Sequence, residues 1–297
     1  MALLDRTRNR WLLAAALVIA LLYVAWGEVT RARGDQKVAF LPAEQRCHTS
    51  GPLRYCVNRD RRGTNGDLLY HLPGRNLDEQ IWNDDTYYTA MLQNEWQRTG
   101  TLPPTVVTVS YGPTWLLAPR GRKPDSGLLE DFMSRLPAIE AKIGQPRQRM
   151  LLGESMGGLN VLVAGLFHPD RFKKVAALCP GVYAVSPFAP VSSIREGMER
   201  TGADPKTIFG IWVLARRYYA NDNEWRLASP LALIERVGPK APHLYLSNGL
   251  YDKFGNYEGT RRLANRAIAR GLPTEWHPLY GGHCATDVVS LASFIAS

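Results

Sequence analysis

A serine between glycines, Gly153-Glu154-Ser155-Met156-Gly157, is the part of this chain best suited to chemistry. Arg149-Met150-Leu151-Leu152 before it reads as a short strand. Gly158-Leu159-Asn160-Val161-Leu162-Val163-Ala164 after it reads as a helix of small and apolar residues. A serine on a tight strand-to-helix turn has its hydroxyl lifted clear of the backbone, and glycines tolerate the crowding there because they have no Cβ. The helix that follows aims its first N–H groups at negative charge developing beside the serine. The bare pattern arises by chance in about one sequence in eight of this length. Its meaning therefore rests on its setting and on the partners a nucleophilic serine needs.

A hydroxyl becomes a nucleophile when a base takes its proton and a carboxylate fixes the tautomer of that base. Six histidines compete. His283 follows Gly281-Gly282 in a turn just past the last expected strand, where a ring can swing over a sheet edge. His277 lies inside that strand, His243 begins another, and His168 ends the helix after the serine in a His-Pro-Asp boundary. The acid is expected between nucleophile and base in chain order. Asp252, four residues beyond a strand over 243–248, fits. Asp222 falls in an irregular stretch, and Asp287 starts the last helix. An oxyanion needs two N–H donors. Met156 is expected to give one, and Leu72-Pro73-Gly74-Arg75-Asn76 the other, from Arg75 with Asn76 as the fallback. Tyr111, Trp115 and Tyr251 are expected to contact substrate. No closely spaced Cys or His pairs suggest a metal, and the chemistry calls for no cofactor.

The elements that must position these residues alternate. Strands are expected over 38–41 and 53–57 on either side of a turn, then over 67–72, 105–111, 148–152, 174–178, 243–248 and 274–278. Helices are expected over 85–97, 127–142 and 257–270, besides the one after Ser155. Antiparallel strands followed by strand–helix units imply an α/β fold: a mixed, mainly parallel sheet with helices on both faces. Residues 37–297 read as one domain with a long insertion around 182–239. That insertion and the loop 112–126 are expected to wall the site.

Residues 11–26 (WLLAAALVIALLYVAW) carry no charge, glycine or proline and follow Arg6, Arg8 and Arg10. Residues 1–36 thus read as a membrane anchor or export signal with a charged linker, the uncleaved anchor being slightly favoured. Either places residues 37–297 outside the cytoplasm, periplasmic or in the cell envelope. Among the four cysteines, Cys47 and Cys56 flank a turn and are candidates for a hairpin disulfide, while Cys179 and Cys284 read as small packing residues. The net charge of +9 has no nucleic-acid motif beside it, so no nucleic-acid partner is expected. Oligomeric state is not legible.

LLYHLPG with Trp82 beyond it, TVVTVSYG, LLGESMGGLNVLVAGLFHPDRF, KVAALCPG, NEWRLASPL, HLYLSNGLYD and YGGH together resemble the Putative esterase family of α/β-hydrolases. That family includes esterase D-like, feruloyl-esterase-like and antigen 85 mycolyltransferase-like proteins. The resemblance runs from about residue 67 onward and implies a metal-independent serine hydrolase acting on an ester or thioester. One departure is the oxyanion loop, where Pro73-Gly74 replaces the family's usual His-Gly. The expected chemistry is attack by Ser155 and an acyl-enzyme cleared by water. The alternatives are transfer of the acyl group to an alcohol, and a catalytically retired, membrane-tethered binding protein.

Overall fold

Short apolar runs, β-branched in residues 105–110 and Leu-, Ala- or Tyr-containing elsewhere, build the central strands between Gly, Pro and Asn turns. The computed structural model describes residues 2–29, 37–238 and 240–297, with side chains from residue 11 to 25 in the first segment. Residues 30–36, most of the expected linker, lie outside the described residues. So do the side chains of Arg6, Arg8 and Arg10. Two compact units emerge, Met1–Lys37 and Val38–Ser297.

The first unit contains helix α1, Ala2–Val29. Its large apolar side chains from Trp11 to Val24 are solvent-exposed. Among the described residues, no helix is long and apolar enough to cross a membrane. The expected transmembrane anchor gains no support.

The second unit holds eight strands: β1 Glu44–Ser50, β2 Leu53–Arg59, β3 Leu68–Leu72, β4 Thr105–Ser110, β5 Arg149–Glu154, β6 Lys174–Leu178, β7 His243–Gly249 and β8 Thr274–Leu279. They form one sheet in the order β1-β2-β4-β3-β5-β6-β7-β8. The β1–β2 and β2–β4 pairs are antiparallel and the others parallel. Helices α2 Tyr88–Arg98 and α10 Val288–Ala296 cover one face, with Trp82, Trp96 and Phe294 beneath them. Helices α3 Leu128–Ile143, α4 Met156–Phe167 and α9 Tyr257–Ala269 cover the other, over Tyr70, Phe132 and Leu162. The insertion is helical: α5 Val191–Thr201, α6 Pro205–Tyr218, α7 Asp222–Ala228 and α8 Pro230–Leu233. The α/β architecture is the expected one.

The first strand is a correction. Residues 38–41 form no strand. Side chains of α2 hold them instead: Gln97 pairs with the Leu41 N–H and C=O, at 2.9 and 2.7 Å, and Asn94 donates to the Ala39 carbonyl. The edge strand lies later, at β1, which forms a hairpin with β2. There Cys47 faces Cys56 across the ladder and the two are joined by a disulfide.

Candidate active site

At the carboxyl end of β5 the chain turns sharply at Ser155, whose φ of 56° lies in the left-handed region that non-glycine residues seldom occupy. Close backbone approach requires the surrounding glycines. A Cβ on Gly157 would lie 1.7 Å from the Leu72 carbonyl oxygen, and one on Gly153 would lie 2.5 Å from Gly157. A Cβ on Gly158 would sit 2.9 Å from the Leu178 oxygen. The turn is thus wedged between the ends of β3 and β6. The Ser155 N–H donates to the Leu178 carbonyl at 2.9 Å.

The two loops after β7 and β8 bring the partners. Gly249 meets the Gly282 carbonyl so closely that a Cβ would lie 2.0 Å away. Tyr251 N–H donates to Gly281 at 3.0 Å, which ties these loops together. His283 Nε2 lies 2.9 Å from Ser155 Oγ, and its Nδ1 lies 2.8 Å from Asp252 Oδ2. Asp252 is buried, and its other oxygen accepts the Phe254 N–H at 2.8 Å. The Phe254 ring stacks on the imidazole at 3.7 Å between centroids. A buried carboxylate, an oriented imidazole and a hydroxyl thus form one line of hydrogen bonds.

The loop after β3 distributes its amides selectively. Gly74 N–H donates to Glu154 Oε1 at 2.7 Å, and Asn76 N–H donates to the Pro113 carbonyl at 2.7 Å. Asn76, the expected fallback donor, is therefore committed elsewhere. Its φ of 63° turns the chain away. Among the described residues the Arg75 N–H has no such partner, and Met156 sits at the first position of α4, where amides lack an intrahelical acceptor.

Behind the elbow, Glu154 is buried and accepts from four groups. Gly74 N–H and Tyr87 Oη reach Oε1, and Tyr88 Oη and His71 Nε2 reach Oε2, all within 3.0 Å. Burial first, then the Glu154 charge, pushes both tyrosine hydroxyls well above the usual phenol range, so they remain donors. A second disulfide joins Cys179, just past β6, to Cys284, the residue after His283. This corrects the reading of the pair as packing residues. The fold brings two cysteines 105 residues apart to a Cα separation of 4.9 Å, which sequence spacing cannot reveal. With both sulfurs bonded to each other, neither offers a thiolate to a metal, although they lie within 4.8 Å of a His283 nitrogen.

Ser155, His283 and Met156 open onto a cavity of about 580 Å³, within the range of small-molecule sites. Leu116, Leu159, Leu214 and Trp225 give it an apolar wall, and α6 forms one side. The three expected substrate contacts lie elsewhere. Trp115 is buried, its backbone N–H donating to Met156 Sδ and its backbone carbonyl accepting from Asn160. Tyr111 donates to Asp131 at 2.6 Å, and Tyr251 is exposed against Tyr280. Sequence reasoning missed Glu154, Phe254 and the α6 residues. Only Glu154, inside the pentapeptide, carried a local signal.

A strained serine over a helix start, backed by histidine and aspartate from the last two strand-end loops, is a hydrolase arrangement. The model of the Putative esterase family matches residues 52–290. The chain belongs to this family. It is a carboxylic ester hydrolase of the α/β-hydrolase fold, and its substrates are small-molecule esters. No curated relative matches the esterase. Among solved structures it is similar to a ferulic acid esterase, at 18% identity and a TM-score of 0.57, covering 84% of this chain and 93% of that one. It is also similar to brefeldin A esterase, a bacterial homologue of human hormone-sensitive lipase (16%, TM-score 0.61, 92% and 83% covered). A third is the esterase of the archaeon Pyrobaculum calidifontis (17%, TM-score 0.59, 87% and 86% covered). At these identities the likeness is one of fold.

Proposed function

We propose that the esterase works through Ser155, His283 and Asp252 by way of an acyl-enzyme. Ser155 Oγ attacks the acyl carbonyl while His283 Nε2 takes its proton. The imidazolium, steadied by Asp252, then protonates the departing alkoxide or thiolate. Met156 and Arg75 N–H groups hold the oxyanion. Water, deprotonated by the same imidazole, hydrolyses the acyl-serine and regenerates the enzyme. The observation that carries this reading is the unbroken line from Asp252 to His283 to Ser155 at 2.8 and 2.9 Å beneath an apolar cavity. Mass analysis after treatment with a fluorophosphonate tests it. One adduct on wild type and none on Ser155→Ala is expected, and an adduct that persists in the variant sinks the assignment. The same enzyme given an ester and an acceptor alcohol should release mainly free acid, whereas a transferred ester as main product would make it an acyltransferase.

We also propose an oxidising compartment outside the cytoplasm as its place of work. Two disulfides and the exposed apolar face of α1 support this. Fractionation of the native host, with N-terminal sequencing, decides it. A start near residue 28 indicates a removed leader, and recovery from the cytoplasm with reduced cysteines would refute the proposal.

A further inference from the structure

The cavity carries cationic side chains that, among the described residues, no acidic group neutralises. Arg75 and Lys206 both line it and both are exposed. Among the described residues neither side chain has an ion-pair or hydrogen-bond partner. Nearby cations are matched: Arg217 reaches Asp125 at 2.6 Å and Arg122 reaches Glu224 at 3.2 Å. The carboxylate that lines the cavity, Glu154, is already committed to its four donors. Asp204, two residues before Lys206, caps α6 by accepting the Lys206 N–H.

The two cations share one end of the site. A Cβ on Gly210 would lie 3.8 Å from a guanidinium nitrogen of Arg75, so the Arg75 side chain reaches α6. Lys206 lies one turn before Gly210 on the same helix face. Gly74, adjacent to Arg75, sits over the nucleophile: a Cβ there would be 3.6 Å from that of Ser155. Two like charges thus line the cavity that Ser155 opens onto, beside its apolar wall. Two unpartnered cations lining one cavity attract an anion.

Building on the reading of Ser155 as nucleophile, we propose that the esterase acts on esters bearing an anionic group, a carboxylate or phosphate, within a few bonds of the scissile carbonyl. Arg75 and Lys206 hold the anion, and the apolar remainder lies against Leu116, Leu159, Leu214 and Trp225. Arg75 then serves twice, its backbone toward the oxyanion and its side chain toward the substrate charge.

Two matched pairs of substrates test this on the full chain. 4-Nitrophenyl hydrogen glutarate against 4-nitrophenyl pentanoate places a carboxylate on the acyl side. Butyryl glycerol 3-phosphate against butyryl glycerol places a phosphate on the alcohol side. In at least one pair the anionic member should have the higher kcat/KM at low ionic strength, by about tenfold. That advantage should shrink with added salt and fall severalfold in K206Q. In K206E it should fall further. The preferred pair identifies the carboxylate or the phosphate. A neutral preference in both pairs overturns the proposal, as does an anionic preference unaffected by K206Q and R75Q. Ser155→Ala run alongside keeps the two readings apart. If it still turns over either ester, the catalytic assignment fails, whereas loss of all turnover with a neutral preference refutes only the charge recognition.

Discussion

At the level of single residues the site divides into groups that meet the substrate and groups that hold them. Ser155→Ala should lower kcat by on the order of 10⁶, and Asp252→Asn by about 10⁴, because an asparagine stabilises the wrong imidazole tautomer. Steady-state kinetics with a neutral nitrophenyl ester measures both. Glu154 is a positioning residue. Its carboxylate fastens Gly74, and through it the Arg75 amide, to the elbow. Glu154→Gln would put an NH₂ group in front of two of its four donors. kcat should fall about 10- to 100-fold with KM nearly unchanged, less than the 10² to 10³ cost of deleting an oxyanion donor. An unchanged kcat would remove Glu154 from this role. The meeting of Ser155, Asp252 and His283 was legible in the sequence because chain order and strand ends constrain where they lie. Trp115 packs inward, Tyr111 is tied to Asp131 and Tyr251 stays exposed against Tyr280, arrangements that a place near a strand end does not distinguish from facing a ligand.

The elements show why the nucleophile stands where it does. Helix α4 can lie across the ends of β3 and β6 only if positions 157 and 158 lack side chains, and Gly157 meets the backbone of Leu72 rather than a movable group. Gly157→Ala should therefore cost about 3 kcal/mol or more of stability. Thermal unfolding of the purified variant, or its failure to accumulate as soluble protein, checks this. Gly249→Ala makes a contrasting case: its Cβ would strike the Gly282 carbonyl in the loop that carries His283. Activity should drop further than the melting temperature does. Seven of the eight strands follow from runs of β-branched and apolar residues between turns. Residues 38–41 show the limit, since four extended residues look alike whether they meet a strand or the side chains of α2. The insertion was legible as an insertion only. Which face of α6 turns to the cavity depends on packing that its own sequence does not encode.

For the molecule as a whole, two disulfides of very different reach divide the work of stabilisation. Closing a nine-residue separation at Cys47–Cys56 restrains the unfolded chain by about 2.6 kcal/mol, and closing 105 residues at Cys179–Cys284 by about 4.8 kcal/mol, in the chain-entropy view. Cys47→Ala with Cys56→Ala should accordingly shift the denaturant midpoint less than Cys179→Ala with Cys284→Ala. The second pair should also lower kcat, since it loosens the loop carrying His283. Equal shifts and an intact kcat would show that the longer bridge does not brace the site.

The same difference in reach also sets an order of events. Four cysteines allow three pairings. A chain that enters the oxidising compartment proposed above amino end first presents Cys47 and Cys56 almost together, so hairpin closure can remove both thiols before Cys284 arrives. Cys179 then has one thiol left to meet. A reduced, unfolded chain set to refold all at once has no such sequence of events and must sort the three pairings by exchange. The arrangement around His283 is thus best suited to a chain oxidised as it emerges, and activity regained after full reduction should depend on a disulfide isomerase.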